Sequence, residues 1–166
     1  KLVGGWQMNG LLAAYSGTPF SVSSSGNSLN APGNTQRADQ VKPEVKKLGG
    51  IGPGQPYYDW TAFARVTEAR FGTAGFNSLR GPGAFNSDLS LFRRFAMTER
   101  VNMEFRAEAF NWTNTPKFSN PSSGINSLQL NSDGSFRTGV FEVTGTNSYG
   151  RDVAERIIRL GLRLSF

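Results

Sequence analysis

Cysteine and histidine are both absent from the 166 residues. The first absence excludes a disulfide framework and any thiolate metal site. The second removes the commonest metal ligand and general base, so most enzyme chemistries have no side chain to start from, and no cofactor is expected. No run of 18 apolar residues occurs, which excludes a membrane-spanning helix. The chain is long enough for one cored domain and too short for two.

Glycine is plentiful, at 20 residues, alongside eight prolines. With many Ser and Asn, they separate segments of alternating polarity, the composition of strands joined by long, turn-rich loops. The expected class is all-β. The formal charge of +6 raises the question of a nucleic-acid partner. The cations are dispersed, however: Lys42, Lys46 and Lys47 fall in a loop, Arg156, Arg159 and Arg163 in an alternating segment. No aromatic-rich binding motif accompanies them, so no nucleic acid is expected.

Four segments read as strands, at about 3–15, 84–96, 100–112 and 155–166. The last is the clearest, with Ile158, Leu160, Leu162, Leu164 and Phe166 on one face and Ile157, Arg159, Gly161, Arg163 and Ser165 on the other. In the third, Val101, Met103, Phe105, Ala107 and Ala109 oppose Asn102, Glu104, Arg106 and Glu108. In the second, Phe85, Leu89, Leu91 and Phe95 oppose Asn86, Asp88, Ser90 and Arg94. Ser87 and Arg93 interrupt its apolar face, and the long stem of Arg93 is expected to carry its charge to an interface. The first strand places Trp6, Met8, Leu12 and Ala14 on one face, with Gln7, Asn9 and Leu11 on the other.

The second and third strands both put their apolar residues on odd numbers, so an odd-length turn must join them. A turn at residues 97–99 fits. It sets Phe95 against Val101, Leu91 against Phe105 and Leu89 against Ala107. It also sets Asp88 against Glu108, a like-charge pair that needs a cation such as Arg106, Arg159 or Arg163. The other connections, about 16–83 and 113–154, are long. Within them, 127–130 and 135–141 flank Asn131-Ser132-Asp133-Gly134 as a hairpin, and Tyr57-Tyr58-Asp59-Trp60 leads into a helical turn or a short strand at 61–66.

Such loops count against a compact soluble domain and suit an outer-membrane barrel, which has short periplasmic turns and long outer loops. The meander then rises, descends to the short turn, rises and descends, which puts both long loops on one side. Trp6, Phe95 and Phe166 fall at the periplasmic end, at the level of an aromatic girdle. The strands are near the length of a tilted crossing, and their polar face carries mid-strand charges suited to a lumen: Asp88, Glu104, Arg106, Glu108, Arg159 and Arg163. Four strands cannot close a barrel, so strands outside the chain are expected to complete it. The start at Lys1, without Met or a signal-like stretch, is read as that of a fragment.

Other motifs yield to plainer readings. Glu104 and Glu108 would stand about 13 Å apart along a strand, beyond the span of a glycosidase pair. Residues 79–83 are Gly-rich but lack the Lys-Ser/Thr ending of a phosphate loop. Tyr57, Tyr58 and Trp60 are candidate loop contacts for a ligand, set against packing of the loop on itself. A soluble all-β binding or adhesion module is the alternative to a barrel, since a half-buried sandwich strand alternates in the same way.

Asn77-Ser78-Leu79-Arg80-Gly81-Pro82-Gly83 with Phe85-Asn86-Ser87-Asp88-Leu89-Ser90-Leu91-Phe92 resembles the last barrel strands of TonB-dependent receptors. The Oar-like group, which carries a carboxypeptidase-regulatory-like domain, is the nearest in pattern. Tyr15-Ser16-Gly17-Thr18-Pro19-Phe20, Arg106-Ala107-Glu108-Ala109-Phe110-Asn111, Thr113-Asn114-Thr115-Pro116 and Leu160-Gly161-Leu162-Arg163-Leu164-Ser165-Phe166 are also similar to that group. The resemblance implies a barrel of about twenty-two strands with a plug, serving uptake of a large nutrient or polymer. It implies outer-membrane lipid, the barrel-assembly machinery, the parent protein's remaining strands and plug, and TonB acting through a region N-terminal to this chain as partners. Ile158, Leu160, Leu162, Leu164 and Phe166 resemble the C-terminal signal that the assembly machinery recognises.

Overall fold

The computed structural model describes residues 4–30, 35–147 and 155–166. It is all-β, and its contacts divide the chain into two compact units: Lys1–Tyr15, Gly83–Lys117 and Thr146–Phe166 in one, Ser16–Pro82 and Phe118–Gly145 in the other.

The first unit is a sheet of four long strands, β1 (Trp6–Tyr15), β2 (Ala84–Ala96), β3 (Asn102–Phe110) and β4 (Ile157–Ser165). They pair antiparallel in sequence order, which is the expected meander, with β1 and β4 at its edges. The alternation in each strand adds up across the sheet. One face carries the cross-strand rows Met8–Leu91–Ala107–Leu160 and Gly10–Leu89–Ala109–Ile158. Met8, Leu12, Ile158, Leu162 and Leu164 are exposed there, and Leu160 is 72% exposed. An uncovered apolar face of this extent is not what a sheet in water presents.

The turn corrects the expected register. Ala96 pairs with Asn102, and the Met97 amide donates to the Val101 carbonyl at 2.9 Å. The tip is therefore Thr98-Glu99-Arg100, still of odd length but one residue later than 97–99. Every partner shifts by two: Leu91 faces Ala107, Leu89 faces Ala109 and Phe95 faces Met103. Two local effects favour this setting. Thr98 Oγ1 accepts from the amides of Arg100 and Val101, at 3.4 and 3.1 Å, which closes the turn. The shift also places Arg94 directly against Glu104, an attractive cross-strand pair, and parts Asp88 from Glu108, the like-charge pair of the expected register.

The two interruptions of the β2 apolar face have physical explanations. Ser87 lies at the end far from the turn, where its hydroxyl is 2.9 Å from that of Thr113. Arg93 does not reach outward as expected. It is buried, its guanidinium 5.4 Å from the Trp6 ring centre and 4.5 Å from that of Phe95, and Trp6 meets Phe105 edge-on at 6.3 Å. Aromatic faces stabilise the charge in place.

The second unit shows what the long connections do. Short pairs form between Pro19–Phe20 and Leu79–Arg80, Ser23–Ser24 and Gln36–Arg37, and Asp39–Gln40 and Phe63–Ala64. The hairpin around Asn131-Ser132-Asp133-Gly134 forms but is shorter than expected, pairing Gln129–Leu130 with Phe136–Thr138. The 57–66 segment is both things the sequence allowed: a helical turn at Trp60–Ala62, capped by Asp59 accepting from the Thr61 amide at 3.0 Å, then a strand at Phe63–Ala64. These pieces surround a core that includes Phe20, Val22, Tyr58, Phe63, Ile125, Val140, Phe141 and Val143.

Close backbone approach matters at Gly72, whose amide donates to Gln36 Oε1 at 3.0 Å. A Cβ there would lie 2.0 Å from the Arg37 carbonyl oxygen. Backbone cannot yield as a flexible side chain would, so Gly72→Ala is expected to destabilise this unit by about 1–3 kcal/mol. Faster amide exchange of Gln36–Arg37 than in wild type would register the loss.

Candidate functional site

The face of the sheet opposite the apolar one carries all six charged residues singled out in the sequence. Its rows are Asn9–Ser90–Glu108–Arg159 and Gln7–Phe92–Arg106–Gly161, with Arg94–Glu104–Arg163 nearer the turn. Asp88 pairs with Leu11 on β1.

The charges form a lattice. Glu104 binds Arg94 at 2.8 Å and Arg106 at 3.2 Å, and Arg106 also approaches Glu108 at 3.8 Å. Arg106 lies 5.7 Å from the centre of the Phe92 ring, and Arg159 5.0 Å from that of Phe110. The Arg106 guanidinium stands between the two glutamates and bridges them, which suits a charge ladder and not an acid–base pair. The expected contact of Asp88 with Glu108 is absent, because the register sets Ser90 against Glu108. Asp88 Oδ1 instead accepts from the Asn111 amide at 2.9 Å and from Asn86 Nδ2 at 3.2 Å.

Ile158, Leu160, Leu162 and Leu164 share the opposite face, against Ala109, Ala107, Phe105 and Met103. Phe166 follows β4 fully exposed.

Tyr57 and Tyr58 are placed otherwise than an exposed stacking surface requires. Both are buried, their rings 5.3 Å apart, and Tyr58 meets Phe141 at 5.9 Å while its hydroxyl donates to the Arg80 carbonyl at 2.7 Å. Packing of the loop on itself has claimed them. Trp60 is partly buried against the core, its ring 6.2 Å from that of Phe136.

Sequence reasoning missed a buried polar cluster at the end of β2 far from the turn, built from Asn86, Asn111 and Lys117. Asn86 was legible as a polar-face residue. Lys117, just after Pro116 in an aperiodic stretch, carries no pattern that marks it as buried.

The second unit is held by carboxylates. Asp39 takes a two-pronged bond from Arg70, at 2.8 and 2.7 Å, and one from the Thr73 amide at 3.1 Å. The Arg70 bonds hold its carboxyl below the ordinary range. Burial pushes Glu142 upward, but the amides of Gly139 and Gly54 and the Thr138 hydroxyl outweigh it and lower its pKa. Both groups bind protons more weakly in the folded chain than in the unfolded one. Their contribution is therefore present above the ordinary carboxylate pKa and is lost as pH falls below it. Residues 16–82 and 118–145 are expected to become more susceptible to proteolysis by an acid-active protease below about pH 4, and Asp39→Asn to show that susceptibility at neutral pH.

No curated protein and no solved structure matches the chain. A family model described as an outer membrane beta barrel domain matches residues 1–154.

Proposed function

The chain belongs to the outer membrane beta barrel domain family and is a component of the bacterial outer membrane; from this premise we propose that it forms part of a TonB-dependent receptor of the Oar-like group, which takes up a large nutrient or polymer. The observation that carries the barrel role is the division of one four-stranded sheet into an exposed apolar face and a face of paired charges. In this reading the apolar face meets lipid and the charged face lines a lumen, the arrangement of a transmembrane barrel. The strands have 10, 13, 9 and 9 residues, which suits tilted crossings of about 9–11 residues.

Strands elsewhere in the parent protein pair with the edges at β1 and β4, because open edges are not stable in lipid. The short turn faces the periplasm, and both long connections leave from the other end of the sheet, toward the cell exterior. The assembly machinery reads the alternating apolar side chains of β4 and Phe166. The finer assignment, to uptake driven through TonB, is supported by the motifs at 15–20, 77–92, 106–116 and 160–166. Photo-crosslinking between TonB and the parent protein in intact cells tests it: a TonB adduct is expected, and a barrel in the outer membrane that yields none would be a passive one.

A further inference from the structure

The polar cluster beside β2 brings together an amine, a carboxamide and a carboxylate. Lys117 and Asn86 are 0% and 1% exposed. They lie 31 positions apart in sequence, with Lys117 Nζ 2.8 Å from Asn86 Oδ1. Since Oδ1 is bonded to Cγ, the amine is within about 4 Å of that carbon. The departing side of the carboxamide is also contacted, because Asn86 Nδ2 donates to Asp88 Oδ1 at 3.2 Å.

The backbone after β3 is folded so as to deliver the lysine. Asn111, at φ +48°, starts a tight reversal in which its side chain accepts from the Thr115 amide at 3.0 Å and donates to the Thr115 carbonyl at 3.1 Å. The reversal is tied to β2 by the Trp112 amide on the Ser87 carbonyl at 2.7 Å, by the Thr113 amide on Ser87 Oγ at 3.2 Å, and by the Asn111 amide on Asp88. A nucleophile and an electrophile fixed in this way react at a high effective concentration.

We propose that Lys117 and Asn86 are the site of a self-formed isopeptide cross-link, with Asp88 as its catalytic proton carrier. Nζ, deprotonated through Asp88, adds to Cγ of Asn86. The tetrahedral intermediate collapses as Nδ2 takes a proton from the Asp88 carboxyl and leaves. One Nζ–Cγ bond replaces one Cγ–Nδ2 bond. Starting from the ammonium form, two protons leave Nζ and both depart on the leaving nitrogen, as ammonium. Asp88 ends as it began, and no oxidant, reductant or cofactor is consumed. The link closes a covalent ring around the β2–β3 hairpin at the end opposite its turn.

The test is the intact mass of the full-length parent purified from outer membranes, followed by tryptic mapping. The expected result is a mass short by one ammonia, with the peptides bearing Asn86 and Lys117 recovered as a single branched species and no cleavage after Lys117. Lys117→Arg and Asp88→Asn are each expected to restore the full mass. A wild-type mass equal to that of its sequence overturns the proposal. So does an ammonia deficit that persists in Lys117→Arg, since the loss would then have arisen without the lysine, as in ring closure of an asparagine on its own backbone.

Discussion

Leu160→Arg, introduced into the full-length parent, is expected to sharply reduce the protein recovered folded in the outer membrane, whereas Arg159→Leu is expected to leave recovery close to wild type. The two positions are neighbours on β4 but point to opposite faces. Leu160 completes the row Met8–Leu91–Ala107–Leu160, and Arg159 pairs with Glu108 on the charged face. If the apolar face meets lipid, an arginine near the middle of the strand costs about 2–4 kcal/mol. If that face met water, the same substitution at a position 72% exposed would cost no more than about 0.5 kcal/mol. Removing Arg159 takes away a ring contact with Phe110 and leaves the bonds of Glu104 to Arg94 and Arg106 in place. Heat-modifiable mobility of the folded barrel, measured on membrane fractions, reads the difference. Equal recovery of the two variants would remove the lipid assignment of the face.

The sheet was legible because its signal is periodic. Each long strand alternates, parity fixes which residues share a face, and the four apolar sets coincide once the strands pair in order. Register was only partly legible. Parity demands an odd turn but cannot choose between tips at 97–99 and 98–100. That choice depends on the Thr98 hydroxyl and on the attraction of Arg94 to Glu104, which act between residues already brought together. The second unit reads as loop in the sequence because its core has no period. Val22, Ile125, Val140 and Phe141 come from distant stretches of chain and are buried singly among Gly, Pro and Ser. Tyr57 and Tyr58 look like surface aromatics until Phe141 is placed beside them. The same holds at the charged site: Glu104 and Arg106 follow from the alternation, whereas Lys117 and Asn111 depend on a reversal held by side-chain bonds to backbone.

Phe141→Ala is expected to unfold residues 16–82 and 118–145 locally. The Phe141 ring is fully buried, with ring centres of Phe63, Tyr58 and Phe20 at 5.5, 5.9 and 6.5 Å. Truncating a buried phenylalanine to alanine costs about 3–5 kcal/mol, part of it for the cavity left behind. A unit assembled from two-residue pairings has little cooperative backbone structure to absorb such a loss. The backbone at this position adds a second constraint. Phe141 has φ +65°, a conformation that bulky residues rarely adopt, so its packing also holds a strained torsion in place. Glycine relieves that strain and alanine does not. Phe141→Gly should therefore open the unit less than the loss of the ring alone predicts, and no more than Phe141→Ala does. Amide exchange in detergent measures both variants, with the interstrand amides of Ala84–Ala96 and Asn102–Phe110 as the internal reference. Faster exchange of the Leu79–Arg80 and Phe63–Ala64 amides is the expected outcome. Exchange unchanged from wild type in Phe141→Ala would mean that the ring is not what holds this core together.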